Sequence, residues 1–194
     1  MKKSSEEQES RIRSGLAGAC VMVLLTAGLL WGSEAWYRAA FGKYETRVAP
    51  YGTVTAEQEL PLPAYAADYG VRRLAAGRDA SGALLAYAVE TAVEGYAGRE
   101  IVIRAEIQAD GELLREMRVL SQKEDRYYGD RIALDSDAER FEGRYLPLLL
   151  PGQAGRGSRV DALSGATGSS TAVFRAVNQA YAFLLRALGE GELP

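Results

Sequence analysis

The residues Asp161-Ala-Leu-Ser-Gly-Ala-Thr-Gly-Ser-Ser170 bring four hydroxyls, on Ser164, Thr167, Ser169 and Ser170, next to two glycines. They run directly into an apolar-periodic segment, Thr171 to Leu188. Small residues let a backbone come close to a ligand. The start of a helix offers N–H groups without intrahelical partners at the positive end of its dipole. Together these features suit a phosphate. Three readings follow from the residue types: a turn capped by Ser or Thr, a site that holds an anion noncovalently, and a hydroxyl that is covalently modified. Residue types alone do not choose among them. A Walker-type phosphate loop is excluded, because no lysine follows the glycine and Ala172-Val173 stands where phosphate chemistry would be needed.

The rest of the composition limits the chemistry. The chain has 194 residues, no histidine and one cysteine, Cys20. That excludes a histidine-based triad, histidine-ligated zinc or haem, a dithiol pair and an iron–sulfur cluster of the chain's own. No catalytic acid, base or nucleophile and no metal-ligand set stands out, so redox or transfer chemistry here requires an organic cofactor. The formal charge is −3. Residues 1–33 carry a net +1 and the remainder about −4, which lacks the basic footprint of a nucleic-acid binder.

The elements that must position the motif read as an α+β domain behind one membrane span. Ser14 to Gly32 is an uncharged run rich in Leu, Val, Ala and Gly. At about 1.5 Å per residue it nearly matches a hydrocarbon core of roughly 30 Å. Arg11 and Arg13 border it on one side, and Trp31, Trp36 and Tyr37 cluster at the other like interfacial aromatics. The run is longer than a signal-peptide core, and Trp31-Gly-Ser-Glu-Ala35 is a poor cleavage site, which favours an uncleaved anchor. The organisation expected is a cytoplasmic tail at 1–13, a transmembrane helix at 14–33, a juxtamembrane connector at 34–60 and an extracytoplasmic domain at 61–194. Ser33 to Gly52 is expected to continue as helix.

Beyond Leu60-Pro-Leu-Pro63, strands are expected at Val71–Arg78 and Ala83–Glu94, joined by the turn-forming Asp79-Ala-Ser-Gly82. Ile101, Ile103, Ala105 and Ile107 alternate with Val102, Arg104, Glu106 and Gln108, a half-buried strand. Asp110-Gly111 predicts a hairpin returning through Leu113 to Leu120, with Leu113, Met117 and Val119 on one face. A loop spans Ser121 to Asp130, a short helix is expected at Ser136–Phe141, and an apolar strand at Tyr145–Leu150. In the last helix, Val173, Val177, Ala180, Tyr181, Leu184 and Leu188 form one stripe. Arg175, Asn178, Gln179 and Arg186 take the opposite side.

The stretch Asp161-Ala-Leu-Ser-Gly-Ala-Thr167, followed by Gly-Ser-Ser-Thr-Ala-Val173, resembles the Asp-x-x-Ser/Thr-Gly-Ala-Thr flavinylation motif. The motif occurs in FMN-binding domains of the RnfG and NqrC type, subunits of ion-translocating membrane electron-transfer complexes. Glu94-Gly-Tyr-Ala-Gly98, the strand after it, Asp110-Gly111 and Val119-Leu-Ser-Gln-Lys-Glu124 follow the order of RnfG-like domains, as does the single N-terminal span. The compact chain is more like RnfG than NqrC.

The resemblance implies that Thr167 carries FMN through a phosphoester bond, making the chain a covalent flavoprotein and, in that sense, a phosphoprotein. Asp161 corresponds to the motif's acidic residue, Ser164, Gly165 and Ala166 to its backbone turn, and Ser169 and Ser170 follow within reach of the phosphate. A magnesium-dependent flavin transferase would attach FMN from FAD. The other partners implied are integral membrane subunits of a ferredoxin- and NAD-linked, Rnf-like complex in the bacterial inner membrane. The chain would relay electrons as a flavin carrier rather than act as a stand-alone catalyst.

In place of the family's His-x-Glu-Thr-Pro-Gly-Leu-Gly-like loop, this chain has Gln122-Lys-Glu-Asp-Arg-Tyr-Tyr-Gly129. Glu124, which the resemblance counts with the cofactor-binding residues, and Gly129 carry over; the histidine and proline do not. Tyr127 or Tyr128 could stack on the flavin instead, or be exposed structural tyrosines. Gly168 is smaller than the residue usual after the threonine. The alternatives are a membrane-tethered module that binds an anion or peptide without redox activity, and a stand-alone flavin reductase.

Overall fold

The computed structural model describes residues 2–96, 98–126, 129–134, 138–162 and 166–194, with side chains from Cys20 onward. The chain forms two compact units, residues 1–43 and 44–194.

The first unit is helical. Helix α1 spans Lys2–Glu45, so the helix expected to reach Gly52 stops seven residues earlier. Its stretch Cys20–Glu45 is long and apolar enough to cross a membrane. Leu24, Leu29 and Trp31 are among its exposed side chains. The two aliphatic hydroxyls of Cys20–Glu45 bond back to the helix: Thr26 Oγ1 donates to the Met22 carbonyl and Ser33 Oγ to the Leu30 carbonyl, each at 2.8 Å. That removes most of the cost of carrying a hydroxyl into an apolar medium.

The second unit is a sheet covered on one face by a helix. Among the described residues its main sheet has six strands: β1 (Ala56–Glu59), β2 (Val71–Arg78), β3 (Leu84–Glu94), β4 (Glu100–Gln108), β5 (Leu113–Ser121) and β6 (Arg144–Tyr145). They lie in chain order and every pair is antiparallel. Gly111 turns the β4–β5 hairpin at φ 76°, as Asp-Gly promises, and Asp110 Oδ1 accepts the Glu112 N–H at 2.8 Å.

Alternation sorts the two faces of β4. Ile101, Ile103, Ala105 and Ile107 are fully buried. Arg104 pairs with Glu57 across the other face, and Glu106 with Arg115 at 2.8 Å. On β5 the inward set is Leu114, Met117 and Val119 rather than Leu113, Met117 and Val119. A register shift between Glu106 and Ile107 moves Leu114 opposite Ile107, while Leu113 pairs with Tyr145 of β6. A bulge of this kind leaves no trace in a period of two.

Arg115 itself is buried. Besides Glu106, its guanidinium donates to the carbonyls of Tyr51 (2.5 Å) and Gly52 (3.0 Å), tying the segment ahead of β1 to the sheet.

The strand expected over 145–150 is divided: β6 ends at Tyr145, and β7 (Leu148–Leu149) pairs in parallel with β8 (Ser158–Arg159). The helix expected at 136–141 falls partly outside the described residues. In its described part Ala138 is helical, its N–H bonded to the Leu134 carbonyl at 2.9 Å, and turns follow, closed by the Phe141 N–H to the Ala138 carbonyl (3.0 Å).

Helix α2, Thr167–Gly189, lies on the inner face of the sheet. Val173, Val177, Ala180 and Leu184 are buried as their spacing predicts, and Tyr181 and Leu188 pack at the margin. Phe174 and Phe183 widen the stripe, Phe174 meeting Phe141 edge to face at 5.4 Å between centroids. Asn178, expected on the polar side, bonds the N–H and the carbonyl of Leu148, each at 2.8 Å, and so pins β7 to the helix.

Candidate functional site

The start of α2 forms one side of a cleft of about 480 Å³, lined by Tyr96, Asp125, Gly129, Ala166, Thr167, Gly168 and Ser169. This volume falls within the usual range of small-molecule sites. A somewhat larger cleft, about 540 Å³ near Gly70 and Val93, contains Arg72 and Glu100, which are bonded to each other. It includes no part of the motif.

Helix α2 begins four residues before the apolar periodicity does. Thr167 is its first residue and is exposed. Ala166 is the N-cap and no side chain caps the helix, so the plain Ser/Thr-capped turn is not what the structure contains. The first intrahelical backbone bond runs from the Ser170 N–H to the Ala166 carbonyl at 2.8 Å. The N–H groups of Thr167, Gly168 and Ser169 therefore precede the helical ladder, at the positive end of the dipole. The Thr167 carbonyl accepts the Thr171 hydroxyl at 2.8 Å, while Thr167 itself lines the cleft.

The other hydroxyls have different surroundings. Ser169 is buried and donates its hydroxyl to Glu124 Oε2. Ser170 is fully buried and is not among the cleft's lining residues. Ser164 and Gly165 lie outside the described residues, as do Tyr127 and Tyr128. Asp161 is exposed and, like Glu124, does not line the cleft. Of the residues singled out in the sequence, Ala166, Thr167 and Ser169 are brought together at the cleft, with Glu124 directly behind Ser169.

The opposite wall is the loop between β3 and β4. Its ends are tied by the Gly95 N–H to the Arg99 carbonyl (2.7 Å), and Arg175 of α2 donates to the Glu94 carbonyl. Tyr96 projects from this loop with 74% of its surface exposed. A Cβ at position 168 would lie 2.5 Å from Tyr96 Cδ2 and 3.0 Å from its Cβ, so the ring packs directly over the glycine. The space left by the smaller residue after Thr167 is thus filled by an aromatic from another element.

Tyr96 and Asp125 do not stand out as site residues in the sequence. The available signal is an aromatic between glycines in Gly95-Tyr-Ala-Gly98, whereas Tyr127 and Tyr128 are the tyrosines that the motif's neighbouring loop offers for stacking. Among the described lining residues there is no lysine or arginine, and Asp125 contributes a negative group.

Residues 95–182 match the FMN-binding domain family. The matched span starts at the glycine before Tyr96 and contains every residue that lines the cleft. No curated protein matches the chain. Among solved structures, NqrC of Shewanella oneidensis is similar, with a TM-score of 0.52 and 22% identity. The likeness covers 61% of this chain and 61% of that one, and at this identity it shows the fold alone. A component of the Na⁺-translocating NADH-quinone reductase of Parabacteroides distasonis gives a TM-score of 0.48 at 17% identity, over 68% of this chain and 78% of that one. In the chain an apolar helix thus precedes an antiparallel sheet closed by a C-terminal helix, and residues 95–182 match the FMN-binding domain family.

Proposed function

We propose that this chain is the flavin-carrying subunit of a membrane-bound, ion-translocating oxidoreductase complex of the Rnf type, and that its FMN is joined to Thr167 by a phosphoester bond. The observation that carries the covalent reading is the character of the cleft. An exposed hydroxyl sits on the first residue of a helix, with Asp125 in the same cleft and no cation among its described lining residues. The helix dipole and free N–H groups stabilise a phosphate by roughly 0.3–2 kcal/mol. Against a neighbouring carboxylate, that is little with which to retain a free cofactor. A bond to Thr167 removes the need.

The described residues fit the group. The N–H groups at 167–169 open the helix beside the cleft, where a phosphate would be held, and Tyr96 offers a flat apolar surface for a ring. FMN, when bound, supplies the electron transfer. The chain's own residues hold and orient it, with Thr167 as attachment point. In the attachment step the Thr167 oxygen bonds to the FMN phosphorus of FAD, the pyrophosphate bond breaks, AMP leaves and the hydroxyl proton is lost. A magnesium-dependent flavin transferase is the second partner this requires.

Helix α1 supports a membrane anchor; on this reading the tail at 1–13 lies in the cytoplasm and the flavin domain on the far side of the inner membrane. Integral membrane subunits of the same complex would then donate and accept the electrons.

The test is the intact mass of the chain produced with an active transferase. Wild type should gain one FMN less one water and fluoresce after denaturing electrophoresis, and Thr167→Ala should show neither. A wild-type chain that stays unmodified and colourless under those conditions rules the reading out and returns the site to a nonredox anion- or peptide-binding module.

A further inference from the structure

The carboxylate behind the cleft connects its two walls. Glu124 is 9% exposed. Its Oε2 accepts the hydroxyl of Ser169, in the first turn of α2, and also the N–H of Tyr96, in the β3–β4 loop, at 3.2 Å. Its own N–H is held by Gln122 Oε1 at 2.6 Å. Space around the carboxylate is closed on two sides: a Cβ at position 95 would lie 2.1 Å from Glu124 Oε1, and one at position 129 would lie 2.7 Å from Glu124 Cβ. The group is therefore enclosed, set behind the cleft lining and shared by both walls.

We infer that Glu124 is a positioning residue for the flavin: without lining the cleft, it sets the separation between the Tyr96 wall and the helix start that bears Thr167. The inference rests on the FMN attachment proposed above. Glutamine at this position retains an oxygen with two lone pairs and can accept both hydrogen bonds; alanine accepts neither.

The experiment measures amide hydrogen exchange of the full-length chain without flavin, and fluorescence anisotropy of the attached flavin after production with the transferase. Glu124→Ala should speed exchange about tenfold in both 95–99 and 167–171, as loss of a hydrogen bond to a charged group implies. It should also lower the anisotropy. Glu124→Gln should restore most of both. Ser169→Ala should affect 167–171 and spare 95–99.

Unchanged exchange in Glu124→Ala, or a uniform rise across β2–β5, overturns the inference. So does an unchanged anisotropy alongside faster exchange, because the walls would then not position the flavin. If Glu124→Ala does not fold, Ser169→Ala decides through the 167–171 segment. A wild type without the FMN mass would be a failure of the attachment reading, and the exchange results would still report whether Glu124 holds the walls.

Discussion

The body and the first turn of helix α2 are held by different forces. From Val173 to Leu184 the helix is fixed mainly by apolar contact, with Val173, Phe174, Val177, Ala180, Phe183 and Leu184 at 3% exposure or less, and the bonds of Arg175 to the Glu94 carbonyl and of Asn178 to Leu148 add to it. In the first turn the contacts are polar or steric: Ser169 to Glu124, Gly168 under Tyr96, and a cap with no side-chain bond. Burial is proportional to area and indifferent to direction, so it decides that the helix docks. Hydrogen bonds and close glycine contacts are directional, so they decide how the cleft is shaped. A change in the body should be read in stability, and a change in the first turn in the state of the ligand.

The largest test of that contrast is Phe183→Ala. The ring is fully buried and packs against Tyr65 and Tyr69, so its loss should cost about 3–5 kcal/mol in urea unfolding. Under the proposed attachment, the fraction still folded should gain the FMN mass to the same extent as wild type. A loss of attachment in that folded fraction would erase the division between body and turn.

Gly168→Ala should do the reverse. Its helix propensity gains about 0.5–1 kcal/mol, but the new Cβ strikes Tyr96 at 2.5 Å and must displace the ring. We expect stability within about 1 kcal/mol of wild type, since overpacking offsets the gain, together with a changed fluorescence yield of the attached flavin. Unchanged fluorescence would show that the ring and flavin do not meet.

The smallest effect is expected from a group that belongs to neither region. Burial, and after it the charge of Glu116, raises the Glu142 carboxyl above the usual value. A carboxyl raised in the folded state contributes stability at pH below its unfolded value, and that contribution is lost as pH rises through the raised one. Glu142→Gln should flatten this loss in unfolding curves across the mildly acidic range and leave the flavin signal untouched. An equal pH slope in the variant would contradict it.

Much of the frame is legible in the sequence because it is local. Alternation in β4 and Asp110-Gly111 each specify structure within a few residues. The start of α2 is not, since Thr167-Gly-Ser-Ser170 has weak helix propensity and is held helical by partners remote in sequence, Glu124 and Tyr96. Asn178 reads as a solvent-facing residue until β7 is placed beside it. The motif points to Thr167 by resemblance, whereas Tyr96 emerges only when the β3–β4 loop is folded against the helix.

The buried guanidinium of Arg115 has a mechanical consequence. It grips the carbonyls of Tyr51 and Gly52, not their side chains, and the Tyr51 ring is left exposed. The grip therefore does not read the side chain at position 51, while position 52 favours glycine for its own reason, a φ of 69° and Leu85 within 2.9 Å of where a Cβ would stand. Tension arriving along the chain from the N-terminal side meets this planar fork before it reaches β1. Lysine, a single point charge, could not hold two carbonyls and Glu106 in the same fork geometry. Arg115 acts as a strain relief, like the clamp on a cable where it enters an instrument.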